Sequence, residues 1–535
     1  MLIFVRNLAQ SRHGLTAVLL FSLLVKGWSW IAHYPRVINH DGALYITAAQ
    51  LMAQGQWPEA LAQHPLPLYP ALIALCQVFI SDWVAAARTV SALALVLTLI
   101  PLYRLTQALQ NRTAAFWACF AWSGVPMINL SAGLVIRGPL FVLFLAWALY
   151  FTQQALQDRR KSDYLLASLC SLVSILLRLE GVVLLAIGGS ALALSAWRSR
   201  GASGRLRGLM IWLLPPLICA AGLFASAGLN IGPAAGLRGL VSAPRPESAG
   251  PASEFLSGYY YIYHQLRELE TRSPYPKGDQ NFAEIARHFM PLIYLLGVLE
   301  TALRVLFPVW LVPLWFGLRQ GLARSGRLVG WVAGAFTLVV YATLIHRDFI
   351  QSRFLYAPVF CLFPWIGAGL ERLCKALETP LRGHPAGFPW RTGSFFLAFG
   401  LLPLIYLGLL LSGPEDRVAA DAGQWLKAQP ATRPLKLVTN DLRIPFYAQR
   451  GTDFIKFNNI WNDYSKLEEY AQGFDLDLIA LRLPRDKKHL IPAFKYYKEI
   501  STFSGFREYA AIYAKPETAS RLRSTGQTSI PKPGT

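Results

Sequence analysis

Acidic residues are scarce in this chain: 30 Asp and Glu stand among 535 residues, against 51 Lys and Arg. Charged residues of all kinds make up only 15%, where a soluble domain of ordinary composition holds about a quarter. That thinness excludes a water-soluble protein over most of the length. Nor are the basic residues gathered into one tract, which sets aside nucleic acid as the partner of the +21 net charge. The six cysteines (Cys76, Cys119, Cys170, Cys219, Cys361 and Cys374) fall singly in or beside apolar segments. None has metal-ligand spacing, so all six read as core or lipid-facing residues. No convincing small-x-small cleavage site follows the first apolar run, which therefore reads as a span and not as a removed signal peptide.

What is abundant is apolar sequence: 54% hydrophobic and 13% aromatic. Runs of about twenty residues, the length of a membrane span, recur at 14–32, 84–103, 115–131, 138–155, 164–179, 181–197, 209–228, 302–318, 328–345, 354–371 and 394–412. They predict an α-helical polytopic membrane protein of about eleven transmembrane helices. The stretches 67–80 and 284–300 read as re-entrant or interfacial helices. With Arg6 and Arg12 in the cytoplasm, every short loop on that side is basic, from Arg104 and Arg112 through Arg159, Arg160 and Lys161 to Arg372, Lys375, Arg382 and Arg391. This is the positive-inside pattern, and it leaves the C-terminus outside.

Three regions then lie outside the membrane: 33–83, 229–301 and the tail from about 413. In the first, Leu44, Ala48 and Leu51 share one helical face, and Thr47, Gln50 and Gln54 another. That predicts a short amphipathic helix on the membrane surface, ended by Gly55, with Pro65, Pro67 and Pro70 opposing a regular helix start beyond it. The middle region opens Gly/Pro/Ala-rich, "GPAAGLRGLVSAPRPESAGPAS", then turns aromatic and helical, "SGYYYIYHQLRELE". A mobile lid or substrate loop is expected there, against a plain disordered linker. In the tail "EDRVAADAGQWLKAQ" has helical spacing, while "LKLVTN", "LDLIALRL" and "YAAIYAKP" read as strands. The division is thus a membrane domain over 1–412, a small extracytoplasmic α/β domain over 413–520 and a disordered tail over 521–535.

Ionisable residues at the edges of spans are costly in lipid and are functional candidates. Here they collect on the outer side: Asp41 after the first span, Arg137, the pair Arg178 and Glu180, and the cluster His346, Arg347, Asp348 and Arg353. A carboxylate can take a proton from an attacking hydroxyl, and arginines can hold a phosphate bidentately as it leaves. The plain readings stand beside these. Asp41 would cap the following helix, Arg178 and Glu180 would brace a turn, "HRDFIQSR" would meet headgroups, and His64 before Pro65 would serve the turn. Lys26 and Arg88 read as interfacial anchors that snorkel to the surface.

The order of these elements resembles the GT-C superfamily of polytopic glycosyltransferases, in the branch of protein O-mannosyltransferases and lipid A aminoarabinose transferases. "HDGALYITAAQLMAQGQW" is similar to the family's acid and helix, with Asp41 at the catalytic position. "HPLPLYP", beginning at His64, resembles its Lys/His-Pro-Pro-Leu stretch, with Leu66 for the second Pro. "LLRLEGVVLL" resembles its Arg-x-Glu-Gly, giving Arg178, Glu180 and Gly181, and "HRDFIQSRFLYAP" its Arg-Tyr-x-x-Pro, with Phe354 for Tyr. One departure is "VIRGPLF", where Arg137-Gly138 stands in place of a common acid. It argues against a carboxylate-held divalent metal, and no cofactor is assigned.

The resemblance implies transfer of a sugar from a polyprenyl-phosphate donor to a glycan, lipid or protein acceptor, with inversion, at the outer face of a bacterial inner membrane. Asp41 would be the base. Arg353, His346 and Arg178 would hold the phosphate, with Arg137 nearby, and Glu180 would orient Arg178 or meet the sugar. His64 would touch phosphate or acceptor. A lipid or glycan transporter and a non-catalytic component of an envelope polysaccharide system are the rival readings. The ionisable residues at the outer edge and the lack of an obvious internal repeat weigh against transport.

Overall fold

The first span shows why this chain needs lipid. In the computed structural model it is an α-helix over Gly14–His33, 20 residues or about 30 Å long. Its outward residues are apolar: Leu20, Leu24 and Ile31 are 58%, 73% and 66% exposed. Its inward stripe, Ser22, Lys26, Ser29 and His33, is small or polar and buried. A water-soluble helix has the reverse arrangement, so this one is solvated by hydrocarbon. The structure describes residues 7–158, 160–197, 202–228, 256–271, 277–319, 326–378, 395, 397–429, 435–449, 454–456, 467–491 and 493–523. The Gly/Pro/Ala-rich opening of the middle loop and residues 524–535 of the expected disordered tail lie outside the described residues. Residues 521–523 instead end a helix, Pro516–Arg523.

Two compact units emerge, one of residues 1–34 and 51–411, the other of 35–50 and 412–535. In the first, among the described residues, five helices are long and apolar enough to cross a membrane: Gly14–His33, Trp83–Leu109, Gly138–Gln157, Leu179–Trp197 and Arg327–Arg347. Two further pairs qualify together but bend, Lys277–His288 with Met290–Leu306 by 77° and Ser352–Phe360 with Phe363–Leu377 by 62°. The chain is therefore a multi-pass membrane protein.

Prolines explain where expected spans break. Phe307 turns to a φ of 67° and Pro308 opens a new turn, so 302–318 is not one helix. Leu68–Gln77 has 10 residues, about 15 Å, too short to cross. Its prolines do not prevent it: Pro67 holds the N-cap and Pro70 lies in the first turn, where no N–H is needed. Leu311–Leu318 and Phe363–Glu378 pack through glycine, since a Cβ on Gly317 would lie 1.9 Å from the Trp365 carbonyl oxygen.

Lys26 and Arg88 are not snorkelling anchors. Lys26 is fully buried and its Nζ donates to Asn129 Oδ1 at 3.0 Å. Arg88, also buried, donates to the carbonyls of His33 and Tyr34, closing the end of the first span. Both side chains lie on inward stripes, and a side chain can snorkel only from a lipid-facing one.

The second unit contains a five-stranded sheet: β1 Leu437–Thr439, β2 Phe454–Lys456, β3 Leu478–Pro484, β4 Lys498–Ser504 and β5 Glu508–Ala514. Their order is β2-β1-β3-β5-β4, with β2, β1 and β3 parallel and the β3–β5 and β5–β4 pairs antiparallel. Period-two alternation buries both faces of β3: Leu478 and Ala480 meet the core under helix Val418–Ala428, while Ile479, Leu481 and Leu483 face the core that includes Leu467 and Ala471. The opening loop forms helix His40–Ala53, stopped by Gly55 at φ 79°, of which the residues up to Gln50 belong to this unit. It is not the two-faced surface helix expected. Ala43, Tyr45, Ile46, Ala48, Ala49 and Met52 are buried, while Leu44 and Leu51 are only half-buried.

Candidate active site

Arg178 ends the helix Lys161–Leu177, its N–H bonded to the Ser174 carbonyl at 2.8 Å. A single 3-10 turn, Leu179–Gly181, follows. Only glycine fits its end, because a Cβ on Gly181 would lie 2.6 Å from the backbone nitrogen of Ile175. This tight turn folds Glu180 back onto Arg178, whose Nη2 donates to Oε1 at 2.7 Å and Nε to Oε2 at 3.4 Å. The guanidinium sits 5.7 Å from the Phe141 ring centroid and 5.0 Å from that of Phe354. Arg353 shares the second ring at 5.7 Å. These five residues line one cleft, together with Phe336, Val339, Val340 and Thr343 of helix Arg327–Arg347 and with Ala357. Arg137, at the N-cap of Gly138–Gln157, is near enough for its charge to act on Glu180. The sequence motifs at 178–180 and 353 thus converge on one cationic, apolar-walled cleft, while Arg137 is not among its lining residues.

His346 is not among the residues lining it. Its charge acts on Asp348, the left-handed C-cap of Arg327–Arg347 at φ 53°, which accepts from the Tyr294 hydroxyl at 2.7 Å. Burial raises the Asp348 carboxyl above its ordinary range, against the opposing Tyr294 bond and His346 charge. His64 is buried at the end of the short helix Trp57–Gln63 and does not line the cleft. Asp41 belongs to the other unit, partly exposed in the first turn of His40–Ala53. That helix begins at His40, so Asp41 lies inside it and is not its N-cap.

The sequence profile described as dolichyl-phosphate-mannose-protein mannosyltransferase matches residues 63–219. No curated protein matches the chain in sequence. Among solved structures, ArnT from Cupriavidus metallidurans in the apo state aligns with a TM-score of 0.53 at 14% identity, over 93% of this chain and 98% of that one. The fold is that of the GT-C membrane glycosyltransferases. ArnT bound to undecaprenyl phosphate aligns at 0.50 and 14% identity, over 94% and 98%. The Archaeoglobus fulgidus oligosaccharyltransferase AglB, in complex with an inhibitory peptide and a dolichol-phosphate, aligns at 0.51 and 13%, over 97% of this chain and 75% of that one.

Within this GT-C fold the cleft's donor set does not suit a cation. Glu180 is the carboxylate among its lining residues, and both its oxygens face Arg178. Among the described residues no three His, Cys, Asp or Glu group so as to hold a metal ion. Sequence reasoning missed a second polar cluster, in the other unit, around Asp441. This carboxylate is 1% exposed and meets His40, Arg443 and Arg482. Its one sequence signal was an acid two residues beyond a parallel strand, at the carboxyl end where α/β sheets place ligand-binding groups.

Proposed function

We propose that this GT-C protein transfers a sugar from a polyprenyl-phosphate donor, undecaprenyl phosphate in a bacterial inner membrane, to an acceptor hydroxyl at the outer face. The observation that carries the reading is the cleft in which Arg178 and Arg353 flank Phe354 against apolar walls. Such a surface is complementary to a phosphate on an isoprenoid tail. The ArnT structure bound to undecaprenyl phosphate and the AglB structure with dolichol-phosphate support this donor class.

In the reaction the acceptor oxygen attacks the anomeric carbon and the bond from that carbon to the phosphate oxygen breaks. The departing undecaprenyl phosphate takes the electron pair, and displacement from the opposite side inverts the centre. Asp41 takes the acceptor's proton, the role its place in the family resemblance assigns. The guanidiniums stabilise the charge that grows on the leaving phosphate. Glu180 keeps the Arg178 fork in one orientation. Reading the basic loops as cytoplasmic supports an outer-side place for Asp41, where a lipid-linked donor would be used in place of a nucleotide sugar.

The test is turnover in sealed vesicles. Purified protein is reconstituted and given a panel of undecaprenyl-phosphate sugars with membrane extract, and free undecaprenyl phosphate is measured by mass spectrometry. Release from one donor, requiring acceptor extract on the side of the sheet unit, is the expected result. Movement of labelled lipid across the vesicle without donor cleavage would replace this reading with transport.

A further inference from the structure

The segment leading to Asp41 is held residue by residue within its own unit. Arg36 Nη2 donates to the Gly413 carbonyl at 3.2 Å, the Val37 N–H to Glu415 Oε1 at 2.7 Å and the Ile38 N–H to the Tyr447 hydroxyl at 3.0 Å. The series ends on His40, the first residue of the helix, whose Nδ1 lies 3.3 Å from Asp441 Oδ1. These two residues are 401 positions apart in the chain.

The Asp441 carboxylate has little freedom. Oδ1 accepts from the Arg443 backbone N–H at 2.9 Å, Oδ2 accepts from Arg443 Nη2 at 2.7 Å, and Arg482 Nη1 lies 3.4 Å from Oδ2. Arg482 is fixed in turn by Glu508 through its Nε at 2.7 Å. Because an ionised carboxylate only accepts, the proton of a neutral His40 stands on Nδ1, and the ring orientation follows from the bond. The ion cluster is complete without the histidine. Two carboxylates, Asp441 and Glu508, already face two guanidiniums, Arg443 and Arg482. His40, whose side chain is 33% exposed, is therefore an additional guest of a preformed site.

We propose that Asp441 is a positioning residue for the transfer reaction, fixing through His40 the first turn of the helix that presents Asp41. The sheet unit then sets the geometry of the base as well as closing a fold. The inference rests on Asp41 being the proton acceptor.

Three variants test it. His40→Ala removes the guest and leaves the arginine–carboxylate pairs intact. His40→Asn places a side-chain amide N–H near where Nδ1 stood. Asp441→Asn alters the host. The expected outcome for His40→Ala is a fall in kcat of about ten- to a hundredfold, with KM for the undecaprenyl-phosphate sugar and the melting temperature held. His40→Asn recovers most of the rate, and Asp441→Asn adds little further loss in the His40→Ala background. Independently of turnover, hydrogen exchange at the amides of residues 40–44 rises in His40→Ala and returns in His40→Asn. A wild-type kcat or wild-type exchange in His40→Ala overturns the proposal, as does equal impairment of His40→Ala and His40→Asn. An active Asp41→Asn would remove the reading beneath it; an inactive Asp41→Asn beside a fully active His40→Ala removes only this inference.

Discussion

At the scale of single residues, Arg178 and Asp441 make the same point from opposite charges: orientation is set before any ligand arrives. Arg178 has a bidentate partner in Glu180 and an aromatic ring on either hand. Lysine would keep the charge but lose the planar fork and the stacking. Arg178→Lys is therefore expected to weaken undecaprenyl phosphate binding about tenfold or more, a loss of about 1.4 kcal/mol, measured by titration of the lipid in detergent. For Asp441, burial raises the carboxyl pKa, but bonds from His40 and Arg443 and the charges of Arg443 and Arg482 outweigh it and hold it below the ordinary range. A depressed folded-state value stabilises fully above the unfolded carboxylate pKa of about 4 and is lost as pH falls through the folded value. Thermal stability of the whole protein should thus fall in acid below about pH 4, and Asp441→Asn should flatten that dependence. An unchanged acid slope in the variant would contradict the assignment.

At the scale of elements, hydropathy gave the length of the first helix but not which way it faced. Ser22, Lys26, Ser29 and His33 recur at spacings of four, three and four, the period of one helical face, and that face is buried. Read as a stripe, the sequence would have turned Lys26 inward; read as a lone cation near a span end, it pointed to the surface. The buried pairing with Asn129 carries a stability expectation. Asn129→Leu leaves an amine buried without this acceptor and should cost about 1–3 kcal/mol. Lys26→Met removes the need for the acceptor and should cost less. Melting in one detergent decides between them, and the reverse order would contradict the pairing. In the sheet unit β1, β3 and β5 were legible because their apolar runs are continuous or alternate. β2 is only three residues long, and β4 alternates weakly, with Phe503 its one buried residue. Neither stood out from loop sequence.

At the scale of the whole molecule, composition was enough to place the chain in a membrane, because no water-soluble packing exposes so many leucines. The order of motifs was enough for the GT-C expectation. What the sequence could not carry were contacts between distant segments. Arg178 and Arg353 come from two separate turns, and His40 and Asp441 from segments 401 positions apart. Their meeting depends on tertiary packing that no local period records. The grouping of 35–50 with the tail has the same origin: those residues are bound by Gly413, Glu415, Tyr447 and Asp441, none of them near in sequence. In the proposed reaction one carboxylate, Asp41, activates an acceptor hydroxyl against a donor held by arginines. The measurement that tests it most directly is release of undecaprenyl phosphate from its sugar-linked form by wild type and by Asp41→Asn, both folded and at equal concentration. The expected result is acceptor-dependent release from the wild type and a loss of at least a hundredfold, about 2.7 kcal/mol in barrier, in the variant, with undecaprenyl phosphate still bound. Equal release from both proteins would contradict it.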